Sequence, residues 1–370
     1  MERKRVFITD IVRTPLGKPG GGLERFMSSD LAAKAVLKLL ERTGVEAGRV
    51  GQTVIGQMLP STMPNNLGHY AWLKAELPVE VPGYTVQANA DSGLQALRNA
   101  YYLAASGEEE IVLAGGADSF SAAPFVMRDV RLHFYPQDRI VIDSLDEAEC
   151  MTQPEPMSRQ EQYELAHGSG ETAEEAAFRA EDRRKAESSR GRGAGAVVPF
   201  SWTDRKKGEI VISEDEWPGA EAEGPFSPQA DGAAVTLVMT EDGLAAGSLL
   251  PLAEILGFAA AGCDPKNMEA AGAAAVRKLL AEQGLGTGDI ALFEIRENSA
   301  ADVLETAAAL GIGPEKVNPF GGALSFGDAG GAEPFVMLSR LAGALKAGEK
   351  GVLCVYSPGG LGMAALIEKC

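Results

Sequence analysis

Several features that identify particular classes of protein are scarce in this sequence of 370 residues. It contains four cysteines at irregular spacing and no CxxC pair, which argues against a disulfide framework and against a cysteine-based zinc site. The first ten residues, MERKRVFITD, are charged and continue directly into a strand pattern, so we expect no signal segment and a cytoplasmic location. No apolar run reaches the length of about 18 residues that a bilayer requires, so we expect no membrane partner.

Positive charge is also in short supply. The chain has 34 Lys and Arg residues against 52 Asp and Glu residues, which gives a formal net charge of -18. A nucleic-acid-binding surface needs a basic face that neutralises phosphates, so this balance argues against nucleic acid as a partner. A small anionic ligand is compatible with the acidic average because a few local cations can hold it. We expect no metal ion and no resident cofactor.

The sequence does contain an alternation of short apolar strands with helical patterns, which is typical of α/β proteins. The predicted strands cover 6–9, 52–56, 111–114, 234–239, 293–297 and 351–356, and the predicted helices cover 29–44, 94–105, 269–283 and 300–310. The segment between the two alternating regions carries Pro136, Pro154, Pro156 and a strongly charged helical pattern. We therefore predict an N-terminal half over 1–119, an inserted loop domain over 120–224, and a similar C-terminal half over 225–370.

One short stretch has the form of a catalytic corner. TVQANADSGLQA, residues 85–96, predicts a strand that turns sharply into a helix. Such a corner exposes one side chain and directs backbone N–H groups toward whatever lies beside it, which suits a nucleophile. The residue at this corner is Ala90, whose methyl group has no nucleophilic chemistry.

Seven segments of the chain, taken in order, resemble the thiolase superfamily, specifically its degradative and biosynthetic thiolases. They are VRTPLGKPGGGL (12–23), KAELPVEVPGYTV (74–86), VLAGGADSFS (112–121), SPQADGAAVTLVM (227–239), GCDPKNM (262–268), VNPFGGALSFGDAGG (317–331) and GGLGMA (359–364). The resemblance covers essentially the whole chain. It implies the α/β thiolase fold, with two similar βαβαβαββ halves in five layers, αβαβα, and an inserted loop domain.

The resemblance also assigns the catalytic positions, and this chain departs from the family at each of them. Thiolases use a cysteine nucleophile, a histidine that activates it, a second cysteine that moves a proton, and an asparagine that holds a catalytic water. Ungapped alignment places Ala90, Asp328, Tyr356 and Arg296 at these positions, in that order, and the glutamate after the asparagine is retained as Glu297. These residues predict that acyl-enzyme chemistry, and with it acetyl-CoA C-acyltransferase activity of the usual kind, is absent.

Other reactive side chains do not replace this set. Cys354 lies two residues before Tyr356 and shares its strand face, and we expect it to be a buried core residue. The three histidines, His69, His133 and His167, all fall outside the histidine position of the family motif.

A coenzyme A thioester is the ligand that the resemblance implies. Ser227 matches the serine that contacts the pantetheine arm in thiolases, although a turn residue before a strand is an equally simple interpretation. Gly359 and Gly360 match glycines that allow close backbone approach to the ligand. A basic segment, RAEDRRKAESSRGRG (179–193), is either a solvated helix face or a patch that contacts phosphate.

Three functions are compatible with this altered site. The first is an acyl-CoA-binding subunit, or a subunit that supports an active thiolase in a hetero-oligomer; assembly as a homodimer is also compatible. This function predicts that Arg296 pairs with Asp328 and fills the pocket. The second is an acyl-CoA aldol or retro-aldol lyase that uses Tyr356, Asp328 and Glu297 together with a small partner subunit, similar to some relatives of the sterol-carrier thiolase branch. The third is residual acyl transfer.

Overall fold

The computed structural model describes residues 4–59, 64–127, 141–145, 164, 170–189, 196–206, 208–216 and 225–370. Several features noted in the sequence lie outside these residues, namely His133, Pro136, Cys150, Pro154, Pro156, His167 and positions 190–193 of the basic segment. Among the helices of the described residues, none combines the length and apolar character needed to cross a membrane.

Strands and helices alternate along most of the described chain. The strands are β1 (Val6–Arg13), β2 (Gln52–Gly56), β3 (Gly83–Val86), β4 (Ile111–Asp118), β5 (Phe125–Met127), β6 (Val141–Asp143), β7 (Ala196–Val197), β8 (Phe200–Asp204), β9 (Gly208–Ile212), β10 (Gly232–Thr240), β11 (Ala253–Gly262), β12 (Leu292–Ile295), β13 (Lys350–Ser357) and β14 (Leu361–Lys369). The helices are α1 (Ser28–Thr43), α2 (Leu67–Lys74), α3 (Ser92–Ala105), α4 (Ala173–Ser188), α5 (Glu241–Gly247), α6 (Met268–Glu282), α7 (Ala300–Leu310), α8 (Ala323–Phe326) and α9 (Glu333–Ala344).

Most of the elements predicted from the sequence lie within a few residues of the observed ones. The predicted strand 52–56 and helix 300–310 have the same bounds as β2 and α7. Helix α1 ends at Gly44 in the left-handed conformation, with φ 66°, as expected for a helix-terminating glycine. The sequence does not predict α9, whose residues 333–342, the polar ones included, are all buried rather than divided between a buried and an exposed face.

The largest sheet contains two groups of strands that repeat one arrangement. Its order is β12-β13-β14-β11-β1-β10-β4-β2-β3, and β7 also pairs with β1. In the N-terminal group β3, β2 and β4 are parallel, and β10 and then β1 follow in antiparallel steps. In the C-terminal group β12 and β13 are parallel, and β14 and then β11 follow in the same way. Strand β10 thus lies in the N-terminal group, although its residues follow position 224.

Side chains that alternate along the strands place helices on both faces of each group. On β13, Leu353 and Val355 belong to the central core, to which α3 and α9 contribute. Val352, Cys354 and Tyr356 point to the opposite face and belong to an outer core with α6 and α7. A third core packs α1 and α2 against the outer face of the N-terminal group. The layer order is therefore αβαβα, and the predicted thiolase fold is confirmed.

Acidic side chains tie the segment after β9 to the N-terminal half. Arg13 of β1 forms a buried bidentate ion pair with Asp215, at 2.6 Å and 2.8 Å. Although burial opposes ionisation, the charge of Arg13 and the hydrogen bonds hold the pKa of Asp215 below its ordinary value. Glu216 accepts the N–H groups of Lys18 and Gly22 at 2.7 Å and 2.9 Å. These contacts fix the conformation of the RTPLGKPGG motif.

The two central helices begin against each other with no side chain between them. A Cβ atom on Gly93, in the first turn of α3, would lie 2.1 Å from the carbonyl oxygen of Gly331, which precedes α9. A Cβ atom on Gly116 of β4 would lie 1.8 Å from the same oxygen. Only glycine fits at these two positions, because any side chain would overlap with backbone atoms. The contact brings the corner at Ala90 beside the loop 328–331.

We expect Gly116→Ala to destabilise the protein by about 2 kcal/mol or more, because the added methyl group must displace the backbone at Gly331. Gly288→Ala is the matched control: no described atom lies within 4 Å of its Cβ position, so its effect should stay within about 0.5 kcal/mol. Urea unfolding followed by circular dichroism measures both variants. Equal stability of the two variants would show that the contact between the central helices tolerates a side chain.

Candidate functional site

The corner at Ala90 is a tight turn whose backbone is held by local hydrogen bonds. Asn89 has a left-handed backbone, with φ 50°, and its side chain donates to the carbonyl of Pro358 at 3.3 Å. Ser92 accepts the N–H of Ala88 at 2.8 Å and donates its hydroxyl to the carbonyl of Asn89. Ala90 is fully buried. The turn therefore fixes Ala90 between the start of α3 and the connection from β13 to β14.

A second corner precedes α9 and carries Asp328. Its backbone N–H donates to the carbonyl of Pro228 at 2.7 Å, and its carbonyl accepts the N–H of Ala230 at 2.8 Å. The Oδ1 atom of Asp328 accepts the N–H of Gly330 at 2.9 Å. Both the main chain and the carboxylate of Asp328 are thus held in place by neighbouring backbone.

Arg296 joins this second corner to β13. Its Nη2 atom forms an ion pair with Oδ2 of Asp328, and the two side chains are only 4% and 6% exposed. Its Nη1 atom donates to the backbone carbonyl of Tyr356 at 3.2 Å. Burial lowers the pKa of Arg296, but the charge of Asp328 together with those of other nearby acidic groups outweighs this effect, and the pKa lies above its ordinary value. The predicted pairing of Arg296 with Asp328 is confirmed.

Asp91 is a further buried carboxyl group at this site, and no sequence motif points to it. Ser357, the last residue of β13, donates its hydroxyl to Oδ2 of Asp91. Burial raises the pKa of Asp91 to about 6, against the opposing effects of the Ser357 hydrogen bond and the Arg296 charge. The available signal was a carboxylate directly after Ala90, within a turn made otherwise of small residues.

Glu297 belongs to a different set of contacts from those of Asp328. Its Oε1 atom accepts from the Asn318 side chain at 2.6 Å, and its Oε2 atom accepts the N–H of Leu324 at 2.8 Å. It also forms a hydrogen bond with Asp182 of α4. Two carboxyl groups can form a hydrogen bond only if one of them carries a proton. Burial, with the proximity of the two groups, raises the pKa of Glu297 well above its ordinary value.

Asp182 anchors α4 to the C-terminal half. Its Oδ1 atom accepts the N–H of Gly322 at 2.8 Å, and its Oδ2 atom accepts the hydroxyl of Ser325 at 2.5 Å. Within the described part of the basic segment, Arg179 pairs with Glu171, and Arg184 pairs with Glu181. The role of Asp182 is not evident from the sequence, because it lies in a run of charged residues that is typical of a solvated helix face.

The three groups of the lyase hypothesis are not joined by hydrogen bonds. The hydroxyl of Tyr356 has no hydrogen-bond partner among the described residues, and its side chain lies on the face of β13 that packs against α6 and α7. Burial raises the pKa of Tyr356 well above its ordinary value. The carboxylate of Asp328 binds Arg296, whereas that of Glu297 binds Asn318 and Asp182.

The remaining candidate residues are Ser227, Gly359, Gly360 and Cys354. The hydroxyl of Ser227 donates to the backbone carbonyl of Glu297, and its N–H donates to the carbonyl of Asn298 at 3.0 Å. Gly359 and Gly360 adopt positive φ angles of 95° and 72° in the turn between β13 and β14. Cys354 is fully buried, as predicted, and burial raises the pKa of its thiol.

Comparison with protein families gives matches along nearly the whole chain. The family model described as "Thiolase, N-terminal domain" matches residues 6–242, and the model described as "Thiolase, C-terminal domain" matches residues 249–369. The acetyl-CoA acetyltransferase of Rhizobium meliloti is 31% identical over 404 aligned positions that cover 100% of both chains. A probable acetyl-CoA acyltransferase of Staphylococcus aureus is 31% identical over 400 positions that cover 99% of both chains.

Two solved structures have the same fold as this chain. The acetyl-CoA acetyltransferase of Bacillus anthracis superimposes with a TM-score of 0.92 at 29% identity, over 100% of both chains. The Acat5 thiolase of Ascaris suum, solved in complex with coenzyme A, superimposes with a TM-score of 0.89 at 26% identity, over 99% of this chain and 100% of that one.

We expect Arg296→Met to destabilise the protein by about 3 to 5 kcal/mol, because it leaves the Asp328 carboxylate buried without its cation. The double variant Arg296→Met/Asp328→Leu should recover part of that loss and give a coupling energy above about 1 kcal/mol in a double-mutant cycle. Urea unfolding of the four proteins provides the measurement. The exposed pair Arg184 and Glu181 serves as control and should show no measurable coupling. A buried pair that behaves like this control would mean that the ion pair does not form in solution.

The Asp182–Glu297 pair predicts a dependence of stability on pH. Both carboxyl groups have raised pKa values in the folded protein, so folding favours their protonated forms. Their stabilising contribution is present below about pH 4 and is lost as pH rises toward the raised values. We expect the free energy of unfolding to fall as pH rises above about 4, the ordinary carboxyl pKa, and Asp182→Asn to reduce that fall. Glu282→Gln, at the exposed end of α6, should leave the slope unchanged; equal slopes for the two variants would contradict the shared proton.

Proposed function

This chain belongs to the thiolase family, and we propose that it is a non-thiolytic member that binds an acyl-CoA or supports an active thiolase in a hetero-oligomer. The family relationship makes it an acetyl-CoA acetyltransferase-like protein with the corresponding fold. It differs from the family in the residues that align with the family's catalytic positions. The observation that carries the proposal is the buried ion pair between Arg296 and Asp328.

The ion pair affects the proposed activity because its two residues align with catalytic positions of the family. Asp328 takes the position of the activating histidine, and Arg296 takes that of the asparagine that holds the catalytic water. A carboxylate committed to a buried guanidinium is a poor acceptor for the proton of a nucleophile, since protonation would leave the cation unpaired. Ala90, at the nucleophile position, offers no atom that could carry an acyl group. Thiolysis through an acyl-enzyme therefore has neither its nucleophile nor its base.

Three residues support the proposed binding of an acyl-CoA. Ser227 and the two glycines, Gly359 and Gly360, occupy the positions that the family uses around the pantetheine arm. The Acat5 thiolase, a structural neighbour of this chain, was solved with coenzyme A. A coenzyme A thioester is accordingly the ligand that we propose.

An unpaired edge of the large sheet supports the proposed assembly with a second chain. Strand β3 pairs with β2 on one side, and its other edge has no partner strand among the described residues. Unpaired backbone groups at such an edge are suited to pairing with a second chain. We propose that this chain assembles as a dimer with a second copy or with an active thiolase.

The geometry gives less support to the aldol-lyase alternative. It needs Tyr356, Asp328 and Glu297 to act on one substrate, but their polar groups have separate partners or face different layers. Acid–base catalysis requires groups within hydrogen-bond reach of the same reacting atoms.

We expect the purified chain to bind acetyl-CoA in calorimetry while it catalyses no detectable thiolysis of acetoacetyl-CoA. Ala90→Cys should not restore turnover, because the new thiol would still lack a histidine and the water-binding asparagine. An active thiolase assayed in parallel is the positive control. An acyl adduct detected by mass spectrometry on the unmodified chain, or thiolysis restored by Ala90→Cys alone, would overturn the proposal.

A further inference from the structure

Two buried polar atoms of residues that contact the end of β13 have no hydrogen-bond partner in the part of the chain that the structure describes. They are the Oδ1 atom of Asp91 and the Nε atom of Arg296. The two residues are only 3% and 4% exposed. Buried polar atoms in folded proteins almost always have a partner, so an acceptor and a donor left over in one place indicate a binding function.

Both residues are bound to the same end of β13. Ser357 donates to the other carboxylate oxygen of Asp91, and the carbonyl of Tyr356 accepts from Arg296 at 3.2 Å. Because Tyr356 and Ser357 are consecutive residues, these contacts hold Asp91 and Arg296 close to each other. The charge of Arg296 lowers the pKa of Asp91, which agrees with this proximity, although burial has the larger, opposite effect.

Local structure does not account for the direction of the Asp91 side chain. Asp91 occupies the N-cap position of α3, where an aspartate ordinarily accepts an N–H of the first helical turn. Within the described chain it makes no such capping bond, and its side chain reaches instead to Ser357. The neighbouring Ser92 supplies the hydrogen bonds that close the turn. The carboxylate is thus turned away from its own helix and toward the end of β13.

We propose that Asp91 and Arg296 form a recognition site for a hydroxyl group on the acyl chain of the bound thioester. A hydroxyl both donates and accepts, so it can satisfy Oδ1 of Asp91 and Nε of Arg296 at the same time. An acyl chain without a hydroxyl would leave both atoms unpaired or displace a water that bridges them. Sites built to bind a hydroxyl discriminate strongly against analogues that lack it. The inference rests on the proposed binding of an acyl-CoA and defines the chemical class of its acyl chain.

The Tyr356 hydroxyl is a third polar atom without a partner among the described residues, but it is not part of this site. Its ring contacts the position of Gly272 in α6, on the outer side of the sheet, where Asp302 is its strongest charged neighbour. The site therefore consists of one acceptor and one donor. This composition suits a single neutral hydroxyl better than a carboxylate, which would face the charge of Asp91.

Calorimetry on the full chain with coenzyme A, butyryl-CoA and both enantiomers of 3-hydroxybutyryl-CoA tests the inference. We expect one hydroxybutyryl enantiomer to bind about tenfold or more tightly than butyryl-CoA. Asp91→Ala should abolish this preference, so that the hydroxylated and plain thioesters bind with similar affinity. The control Asp242→Ala, at an exposed carboxylate on α5, should retain the preference.

A second variant tests the same site if Asp91→Ala does not fold. Ser357→Ala removes the hydrogen bond that orients Asp91 and should reduce the preference without removing the carboxylate; thermal unfolding shows which variants are folded. Equal binding of the hydroxylated and plain thioesters to the native chain would overturn the recognition site while leaving the proposed acyl-CoA binding intact. Failure of coenzyme A and all thioesters to bind would overturn both.

Discussion

The structure depends on the direct contact between the starts of its two central helices. Gly93 and Gly116 both lie against the carbonyl of Gly331, so α3 and α9 approach each other at backbone distance between the two groups of strands. Because the halves repeat one topology, each central helix is preceded by a corner, at Ala90 and at Asp328. The contact between the two helices brings these two corners close together. Every feature of the candidate site follows from that convergence.

The convergence also fills the middle of the molecule with charged groups. The Arg296–Asp328 pair, Asp91, and the Asp182–Glu297 pair are all almost fully buried. Removing charge from water is costly, so such groups persist only where cations, backbone N–H groups or shared protons compensate for the lost hydration. Arg296 supplies the cation for Asp328, and a shared proton serves Asp182 and Glu297. These compensations commit each of the buried carboxyl groups to a fixed partner.

Prediction from the sequence was accurate where the signal is local. Helix α7 and strand β2 were predicted with their observed bounds, because caps and alternation are encoded within a few neighbouring residues. It failed for α9, whose residues 333–342 are all buried, so the helix has no solvent-exposed polar face over those residues. The domain boundary at 224 stays a prediction; β10, which follows it, pairs with β1 and β4 of the N-terminal half. Composition does not encode which sheet a strand joins, since pairing depends on contacts far apart along the chain.

The sequence by itself determined the order of most elements, the resemblance to a family, and which residues align with that family's catalytic positions. Those properties are read from motifs and spacings along one line of residues. Only the tertiary structure decided which charged groups meet, that Arg296 binds Asp328, that Glu297 turns to Asp182, and that Asp91 reaches Ser357. The physical reason is that hydrogen bonds and ion pairs act over a few ångströms, whereas these partners come from separate elements that only the folded layers bring within reach.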